Sequence, residues 1–350
     1  MIADAIARFV ASPSSGDFEA LALAAFAFQF ERVEPYRRLC ERSSRTPRSI
    51  DTWREIPLVP AIAMKSVALN AAPARVTFRS SGTTAGARRS VHPHPFPELY
   101  ELVIERSFPE FCLPCGGRPP MLSLIPPFSQ ATDSSLSFMI DHVLAACAGE
   151  SSASACGARG LDLLRARSWL AARQRDGRPY LVLATALALD QCLRGLERLD
   201  LRFRAPAASA LFVTGGFKTR RAELTLDDLL ARLAERLGLP AQAVVQEYGM
   251  TELTSQAYTR SLAGGPTDVF VCPHWMRARV LDPATLEEAP AGAEGLLALL
   301  DLANVGSVLH LLTEDLARGA DGGFRLTGRA GGAELRGCSL TAEELAGSPR

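Results

Sequence analysis

The chain has 350 residues, 47% of them hydrophobic, and its 38 basic and 38 acidic side chains give no net charge at neutral pH. A chain of this size and hydrophobic content can bury one large core or two modest ones. Balanced charge provides no general attraction to nucleic acid or to an anionic membrane, so neither is expected as a partner. A small molecule or another protein is the expected partner.

No targeting or membrane-spanning segment is expected. The N-terminus carries Asp4 before any basic residue and lacks the basic region of a secretory signal. The apolar stretch from Ala20 to Phe30 is too short to cross a bilayer as a helix. These features predict a cytoplasmic location.

The cysteines and histidines do not form a metal-ligand pattern. Eight cysteines are spread along the chain without the spacing of a small disulfide scaffold, which indicates free thiols. Cys112 and Cys115 form a C-x-x-C, and His92 and His94 form a close pair, but neither pair has further ligands at metal-site spacing. No metal site is expected at either pair.

The predicted elements begin with helices. Apolar residues recur at helical spacing from Phe18 to Tyr36, and prolines 47 and 57 mark turns. This pattern predicts a helical part over residues 1–70.

After Arg75, short apolar runs alternate with helical patterns, which predicts an α/β sheet covered by helices. The pattern changes after Asp268 to strand-like stretches separated by turns. A β-rich part is therefore expected over about residues 268–327. Strands are expected at the runs VTF, MLSLI, YLVLA, SALFV, AVVQEYG, VFVCP, MRARVL, GLLALL and SVLHLLT.

The strongest local signal is the segment F-R-S-S-G-T-T-A-G from Phe78 to Gly86, which follows a predicted strand. Its hydroxyls and backbone N–H groups suit phosphate oxygens, and its glycines permit a close approach of the backbone. It does not have the spacing of a Walker A loop. From these residues alone, a phosphate loop and an ordinary surface loop are equally open.

A second signal, Q-E-Y-G-M-T-E from Gln246 to Glu252, lies at the end of a predicted strand, where α/β sheets usually hold ligands. The ring of Tyr248 beside Gly249 is suited to an adenine, and the carboxylate of Glu252 is suited to Mg²⁺. A core tyrosine and a loop glutamate are the ordinary alternatives.

Together the two segments resemble the adenylate-forming enzyme superfamily, whose loops have the forms S-S/T-G-T-T-G and Y-G-x-T-E; Ala85 replaces a usual glycine. Thr214-Gly215-Gly216, Thr313-Glu314-Asp315-Leu316 and Gly328-Arg329 look like three further motifs of the superfamily, in its order. The resemblance implies the α/β fold of the superfamily's N-terminal domain, with helix-covered sheets and a β-rich subdomain. It also implies ATP and Mg²⁺ as cofactors.

The resemblance also implies roles for individual residues. Asp315 would accept hydrogen bonds from the ribose hydroxyls, Arg329 would lie near the ribose or phosphate, and Glu252 would hold Mg²⁺. His92 is a further candidate for contact with phosphate or the acyl carboxylate, with a structural role as the alternative. The implied ATP-binding residues are Ser80, Ser81, Gly82, Thr83, Thr84, Gly86, Gly215, Gly216, Tyr248, Gly249, Thr251, Asp315 and Arg329.

A narrower likeness rests on Ser80 to His92, Thr214 to Lys218, Thr313 to Leu316 and, above all, the sequence R-G-C-S-L from Arg336 to Leu340. These segments are similar to the acyl-protein synthetase (LuxE) family of fatty acid reductases, in which the cysteine of R-G-C-S-L accepts the acyl group. The likeness implies a ligase that activates a carboxylic acid, expected to be a fatty acid, to acyl-AMP. It further implies a thioester on Cys338 and an acyl reductase or acyl carrier as partner.

Adenylate-forming ligases typically continue into a second domain with a lysine that assists adenylation. The two lysines here, Lys65 and Lys218, both precede the hinge-like Gly328-Arg329. The large C-terminal domain is therefore expected to be absent. A catalytic body over residues 1–327 would be followed by a short mobile segment, 328–350, that carries Cys338. Lys218 and Arg329 are the cations expected to serve the adenylation step.

Two other functions stay open. One is a ligase that passes the acyl group directly to coenzyme A or to a carrier protein. The other is a non-catalytic scaffold that binds nucleotide and a partner enzyme. The missing lysine and the substitution at Ala85 favour this alternative. The identity of the acid and the oligomeric state are open as well.

Overall fold

The computed structural model describes residues 1–81, 88–157, 160–215, 225–331 and 345. The chain divides into two compact units. The first unit contains Met1–Arg106, Met250–Gln256 and Val271–Arg350, and the second contains Ser107–Gly249 and Ala257–Phe270.

Eight α-helices and sixteen strands lie within the described residues. The helices are α1 (Ile2–Ala11), α2 (Phe18–Arg32), α3 (Glu34–Arg42), α4 (Pro97–Cys112), α5 (Ser135–Cys147), α6 (Leu163–Asp176), α7 (Ala186–Arg198) and α8 (Leu226–Leu237). The strands are β1 (Val59–Pro60), β2 (Val76–Arg79), β3 (Val91–His94), β4 (Met121–Ser123), β5 (Ala153–Ser154), β6 (Cys156–Gly157), β7 (Gly160–Leu161), β8 (Leu181–Thr185), β9 (Ala210–Thr214), β10 (Val244–Tyr248), β11 (Ala257–Thr259), β12 (Phe270–Val271), β13 (Met276–Leu281), β14 (Glu294–Asp301), β15 (His310–Ala320) and β16 (Gly323–Arg329).

Helices α1 to α3 belong to the first unit. Asp17 begins α2 because its carboxylate accepts the backbone N–H of Ala20 at 2.9 Å. On the buried side of α2, the amide of Gln29 donates to the carbonyl of Asn304 at 3.0 Å and accepts the N–H of Leu309 at 3.1 Å. This buried side chain ties the N-terminal helices to the loop that follows β14.

The β-rich part of the first unit is an antiparallel ladder in the order β13-β14-β15-β16. Its inner face is apolar, with Leu281, Leu296, Ala298 and Leu312 packed together. Strand β1 adds to β15 in parallel, pairing Val59 with Leu311. The four strands expected after Asp268 are confirmed as β12 to β15, and β16 is a further strand that was not predicted.

The second unit contains a mostly parallel sheet in the order β11-β10-β9-β8-β4-β5, in which only β11 is antiparallel among these neighbours. Strands β8, β9 and β10 are buried almost throughout, which is typical of parallel strands covered on both faces. Residues of α6, α7 and α8 pack into the same apolar core as β8 and β9. The predicted alternation of strand and helix is confirmed here.

No helix in the described part of the chain is both long enough and apolar enough to cross a membrane.

Candidate active site

The hydroxyl-rich segment connects two paired strands of the first unit. Strands β2 and β3 are antiparallel, and the backbone N–H of Ser80 donates to the carbonyl of Ser90 at 3.1 Å. The hydroxyl of Ser80 accepts the N–H of Ser90 at 2.9 Å, and the guanidinium of Arg89 donates to the carbonyls of Arg79 and Ser80. Ser80 therefore closes the base of the loop, while Ser81 beyond it is exposed. Gly82, Thr83, Thr84 and Gly86 lie outside the described residues, and their phosphate contacts stay a prediction.

The turn that carries Thr251 and Glu252 is fixed by a buried carboxylate. One oxygen of Asp301 accepts the backbone N–H groups of Thr254 at 3.0 Å and Ser255 at 2.7 Å. The other oxygen accepts the hydroxyl of Ser255 at 2.6 Å and the N–H of Ala303 at 3.0 Å. Burial nevertheless raises the pKa of Asp301 to about 6. Three of these four donors belong to the turn, so the carboxylate anchors the turn to the end of β14.

A buried amide completes the support of the turn. The side-chain N–H groups of Asn304 donate to the carbonyls of Glu252 at 3.0 Å and Val308 at 2.8 Å, and its oxygen accepts the hydroxyl of Thr254 at 2.9 Å. Asn304 thereby holds the backbone of Glu252 directly. Sequence patterns did not identify Asp301 or Asn304, because each lies about fifty residues from the turn that it supports.

His92 and His94 pack beneath the same turn. The Nδ1 of His92 donates to the carbonyl of Thr251 at 2.7 Å, and the Nε2 of His94 donates to the hydroxyl of Thr254 at 3.0 Å. Burial lowers the pKa of His92 to about 4 and that of His94 well below its ordinary value. Both rings are therefore neutral near pH 7. The contacts of His92 support the structural role that the sequence left open.

Glu252 lies at the head of this turn with only 7% of its surface exposed. Burial raises the pKa of its carboxyl, while the Ser90 hydroxyl and the positive charge of Lys65 lower it and the negative charge of Glu314 raises it. These influences come from three other parts of the chain: the 3₁₀ turn Ala61–Lys65, the residue just before β3, and β15.

The Glu252 carboxylate and the Ser90 hydroxyl are oxygen ligands of the kind that fit a Mg²⁺ ion bound together with a nucleotide. Mg²⁺ is usually held by one or two carboxylates together with substrate phosphates and water. In the parts of the chain that the structure describes, no group of three His, Cys, Asp or Glu residues is arranged as a metal cage. The Glu252 carboxylate is the type of ligand that a Mg²⁺ ion shared with a nucleotide uses.

Asp315 and Arg329, predicted as ribose-side residues, are neighbours across β15 and β16. The guanidinium of Arg329 approaches the carboxylate of Asp315 at 3.3 Å and that of Glu314 at 3.1 Å. The side chain of Arg329 is 67% exposed. Two carboxylates therefore share this cation. The negative charge of Glu314 also raises the pKa of Glu252.

The second unit supplies the remaining described candidates at the carboxyl ends of β9 and β10. Thr214 and Glu247 are register partners on these parallel strands, and the Thr214 hydroxyl donates to the Glu247 carboxyl. The next residue after Thr214, Gly215, has φ +88°, a conformation that favours glycine. Tyr248 is buried with its ring 6.1 Å from that of Phe270, and Gly249 is exposed. Ligands bind at such strand ends in open α/β sheets.

Gly216, Lys218 and Cys338 lie outside the described residues. The roles expected of these three residues stay predictions. Of the C-x-x-C pair, Cys112 is buried at the end of α4 and Cys115 is exposed.

Glu247 is a buried acid that sequence reasoning missed. Burial raises its pKa from the ordinary 4.5 to about 7, against the lowering effect of the Thr214 hydrogen bond. Folding therefore favours the protonated carboxyl. The stabilisation of the fold by the protonated Glu247 carboxyl is fully present below pH 4.5 and is lost as the pH rises through about 7.

Replacing Glu247 with Gln is expected to remove this pH dependence. The amide keeps a partner for Thr214 but cannot ionise, so the loss of stability between pH 5 and pH 8 should shrink by roughly 2–3 kcal/mol. Urea unfolding of both proteins across this pH range measures the difference. Glu150→Gln, at an exposed position of the same unit, is the matched control. Parallel pH profiles for Glu247→Gln and the unmodified chain would contradict the raised pKa.

No protein-family model and no curated protein matches this chain. Solved structures do match it. A 2-hydroxyisobutyryl-CoA ligase, in an open conformation in complex with 2-HIB-AMP and CoA, is 15% identical with a TM-score of 0.65, covering 89% of this chain and 74% of the ligase. The same ligase in the postadenylation state with 2-HIB-AMP is 14% identical with a TM-score of 0.65, covering 89% and 67%.

ATP-bound MatB from Rhodopseudomonas palustris is 16% identical with a TM-score of 0.52. That match covers 72% of this chain and 47% of MatB. These structural neighbours are adenylate-forming ligases. At such low identity the likeness shows the fold alone. The chain therefore has the α/β fold of the adenylate-forming ligases, which confirms the fold class predicted from its motifs.

Proposed function

We propose that the chain is an ATP-dependent ligase that activates a carboxylic acid as an acyl-adenylate. The observation that carries this proposal is the cluster around Glu252 in the first unit, where Ser90, Lys65 and Glu314 all act on the Glu252 carboxyl. A substrate carboxylate that attacks the α-phosphate of ATP needs positioned cations and hydroxyls more than covalent help from the protein. The cluster provides groups of these types.

Each described residue has a part in this proposal. Asp315 accepts hydrogen bonds from the ribose hydroxyls, and Arg329 lies near the ribose or phosphate. Glu252 and Ser90 provide oxygen ligands for Mg²⁺. The metal, when bound with ATP, neutralises phosphate charge. Tyr248 and Gly215, at the strand ends of the second unit, are proposed adenine-side residues.

The proposed acyl acceptor is Cys338. The R-G-C-S-L sequence around it supports this choice, because a thiolate is a strong nucleophile near neutral pH and the neighbouring Arg336 favours its ionisation. The cysteine sulfur would attack the acyl carbon, and AMP would leave with the electron pair of the broken anhydride bond. The proposed acid is a fatty acid. The acyl group of the resulting thioester would pass to an acyl reductase or an acyl carrier.

Direct transfer to coenzyme A is the second candidate. It is favoured by the presence of CoA in the solved 2-hydroxyisobutyryl-CoA ligase complex whose fold this chain shares. In that case the protein would release AMP and form an acyl-CoA without carrying the acyl group itself.

Intact mass measurement after incubation with ATP, Mg²⁺ and a panel of fatty and aryl acids separates the two candidates. We expect AMP release and an acyl adduct that hydroxylamine removes, and we expect Cys338→Ser to abolish the adduct while the acid-dependent exchange of pyrophosphate into ATP continues. AMP formed only when coenzyme A is added, with no adduct, would favour direct transfer. A chain that binds ATP but forms no AMP with any acid would support the scaffold alternative.

A further inference from the structure

Lys65 is a basic residue of the cluster around Glu252 to which the proposed function gives no role. Strand β1 lies parallel to β15, with Val59 opposite Leu311 and Pro60 opposite Leu312. Immediately beyond this pairing, β1 leads into the 3₁₀ turn Ala61–Lys65. Strand β15 continues into Thr313, Glu314 and Asp315. The parallel register therefore sends Lys65 and the T-E-D segment in the same direction from a common starting point.

The 3₁₀ turn itself is anchored. Ala63 and Met64 are buried, and the carbonyl of Ala63 accepts the backbone N–H groups of Ser66 at 3.0 Å and Val67 at 2.9 Å. Lys65 is half-buried at the end of this turn. A fixed backbone beneath a partly exposed ammonium limits the volume that the side chain can search.

The charge of Lys65 reaches Glu252, since it is one of the influences that lower the pKa of that carboxyl. Glu314 acts on the same carboxyl in the opposite direction. The 3₁₀ turn that ends at Lys65 packs against β15, which carries Glu314, and against β3. This arrangement is suited to a ligand that carries both phosphate charge and a divalent cation.

Arg329 is less suited to this task. Its guanidinium is already shared between Glu314 and Asp315 at 3.1 and 3.3 Å. Two ion pairs within the protein therefore already hold this guanidinium.

Adenylation creates the need for such a cation. An oxygen of the substrate carboxylate forms a bond to the α-phosphorus, the bond from that phosphorus to the bridging oxygen breaks, and pyrophosphate leaves with the electron pair. Negative charge moves onto the departing oxygen, and a fixed cation beside it stabilises the transition state. No proton needs to be transferred in this step, so a cationic side chain is sufficient.

From these observations, and resting on the proposed function, we infer that the Lys65 ammonium contacts the phosphate oxygens of bound ATP beside Glu252 and stabilises the departing pyrophosphate. Lys65 then takes the part that the sequence assigned to Lys218 and Arg329. The enzyme would carry its adenylation cation within the first unit.

The presence of only two lysines makes a direct test possible. An acyl-phosphate derivative of ATP, which transfers its acyl group to amines near the phosphates, is incubated with the full chain, and the modified peptides are identified by mass spectrometry. We expect modification at Lys65 that excess ATP suppresses. Modification at Lys218 with ATP protection, and none at Lys65, would overturn the assignment while leaving the proposed function intact. ATP-insensitive modification would overturn both.

Variants test the catalytic part. Lys65→Met removes the charge at similar length and should lower the kcat of acid-dependent pyrophosphate exchange by about 10²-fold or more, with a much smaller change in the KM for ATP. Lys65→Ala should regain activity when ethylammonium or propylammonium is added, which a purely structural role would not produce. Arg48→Met, at an exposed position of the same unit, is the control for loss of a positive charge. Thermal unfolding of each variant establishes that the fold is retained. A folded Lys65→Met protein with unchanged kcat would overturn the inference.

Discussion

Replacing Glu252 with Gln is expected to lower acid-dependent pyrophosphate exchange by about 10³-fold with little effect on folding. Glutamine has the shape of glutamate and keeps an oxygen for the Ser90 hydroxyl, but it lacks the negative charge that binds Mg²⁺. The backbone of residue 252 remains held by the amide of Asn304 at 3.0 Å. The loss should therefore appear in kcat/KM and in the Mg²⁺ concentration needed for half-maximal exchange.

Glu287→Gln is the matched control, because Glu287 is exposed in a turn of the same unit. It should leave both the exchange rate and the Mg²⁺ requirement unchanged. If Glu252→Gln folds normally and retains the unmodified Mg²⁺ requirement, Glu252 does not bind the metal, and the nucleotide site must be sought elsewhere in the chain.

The largest expected effect on stability comes from Asp301→Asn. The carboxylate accepts four hydrogen bonds from the turn around Thr254 and Ser255 and from Ala303, and each oxygen accepts two of them. The amide group of asparagine can accept on one side only and brings two N–H groups toward donors on the other. We expect a loss of about 3–5 kcal/mol, since two buried donors are left without an acceptor.

Thermal and urea unfolding measure this loss directly, and Asp321→Asn, in an exposed turn of the same unit, should be neutral. Because Asp301 orders the turn that carries Glu252, the variant should also have lower exchange activity at temperatures where it is still folded. Unfolding at the same temperature and urea concentration as the unmodified chain would mean that the turn does not depend on this carboxylate.

Much of the fold was predictable because its signals are local. Apolar runs of strand length and helical spacing identified α2, α7 and the strands β8, β9, β10 and β13. Hydroxyl and glycine residues after β2, and the tyrosine–glycine step after β10, marked the ends of strands where ligands bind. Local pattern was sufficient for these features because backbone periodicity and turn chemistry involve residues close in sequence.

The sequence by itself determined the α/β class, the order of the motifs and the candidate residues Glu252, Asp315 and Arg329. Only the tertiary structure decided which residues support or join them. Asp301 and Asn304 hold the 251–255 turn from about fifty residues away, and the charge of Lys65, nearly two hundred residues away, acts on Glu252. The burial that raises the pKa of Glu247 likewise depends on neighbouring strands and helices. A linear pattern contains no record of such pairings, because strand register and burial arise only when distant segments pack against one another.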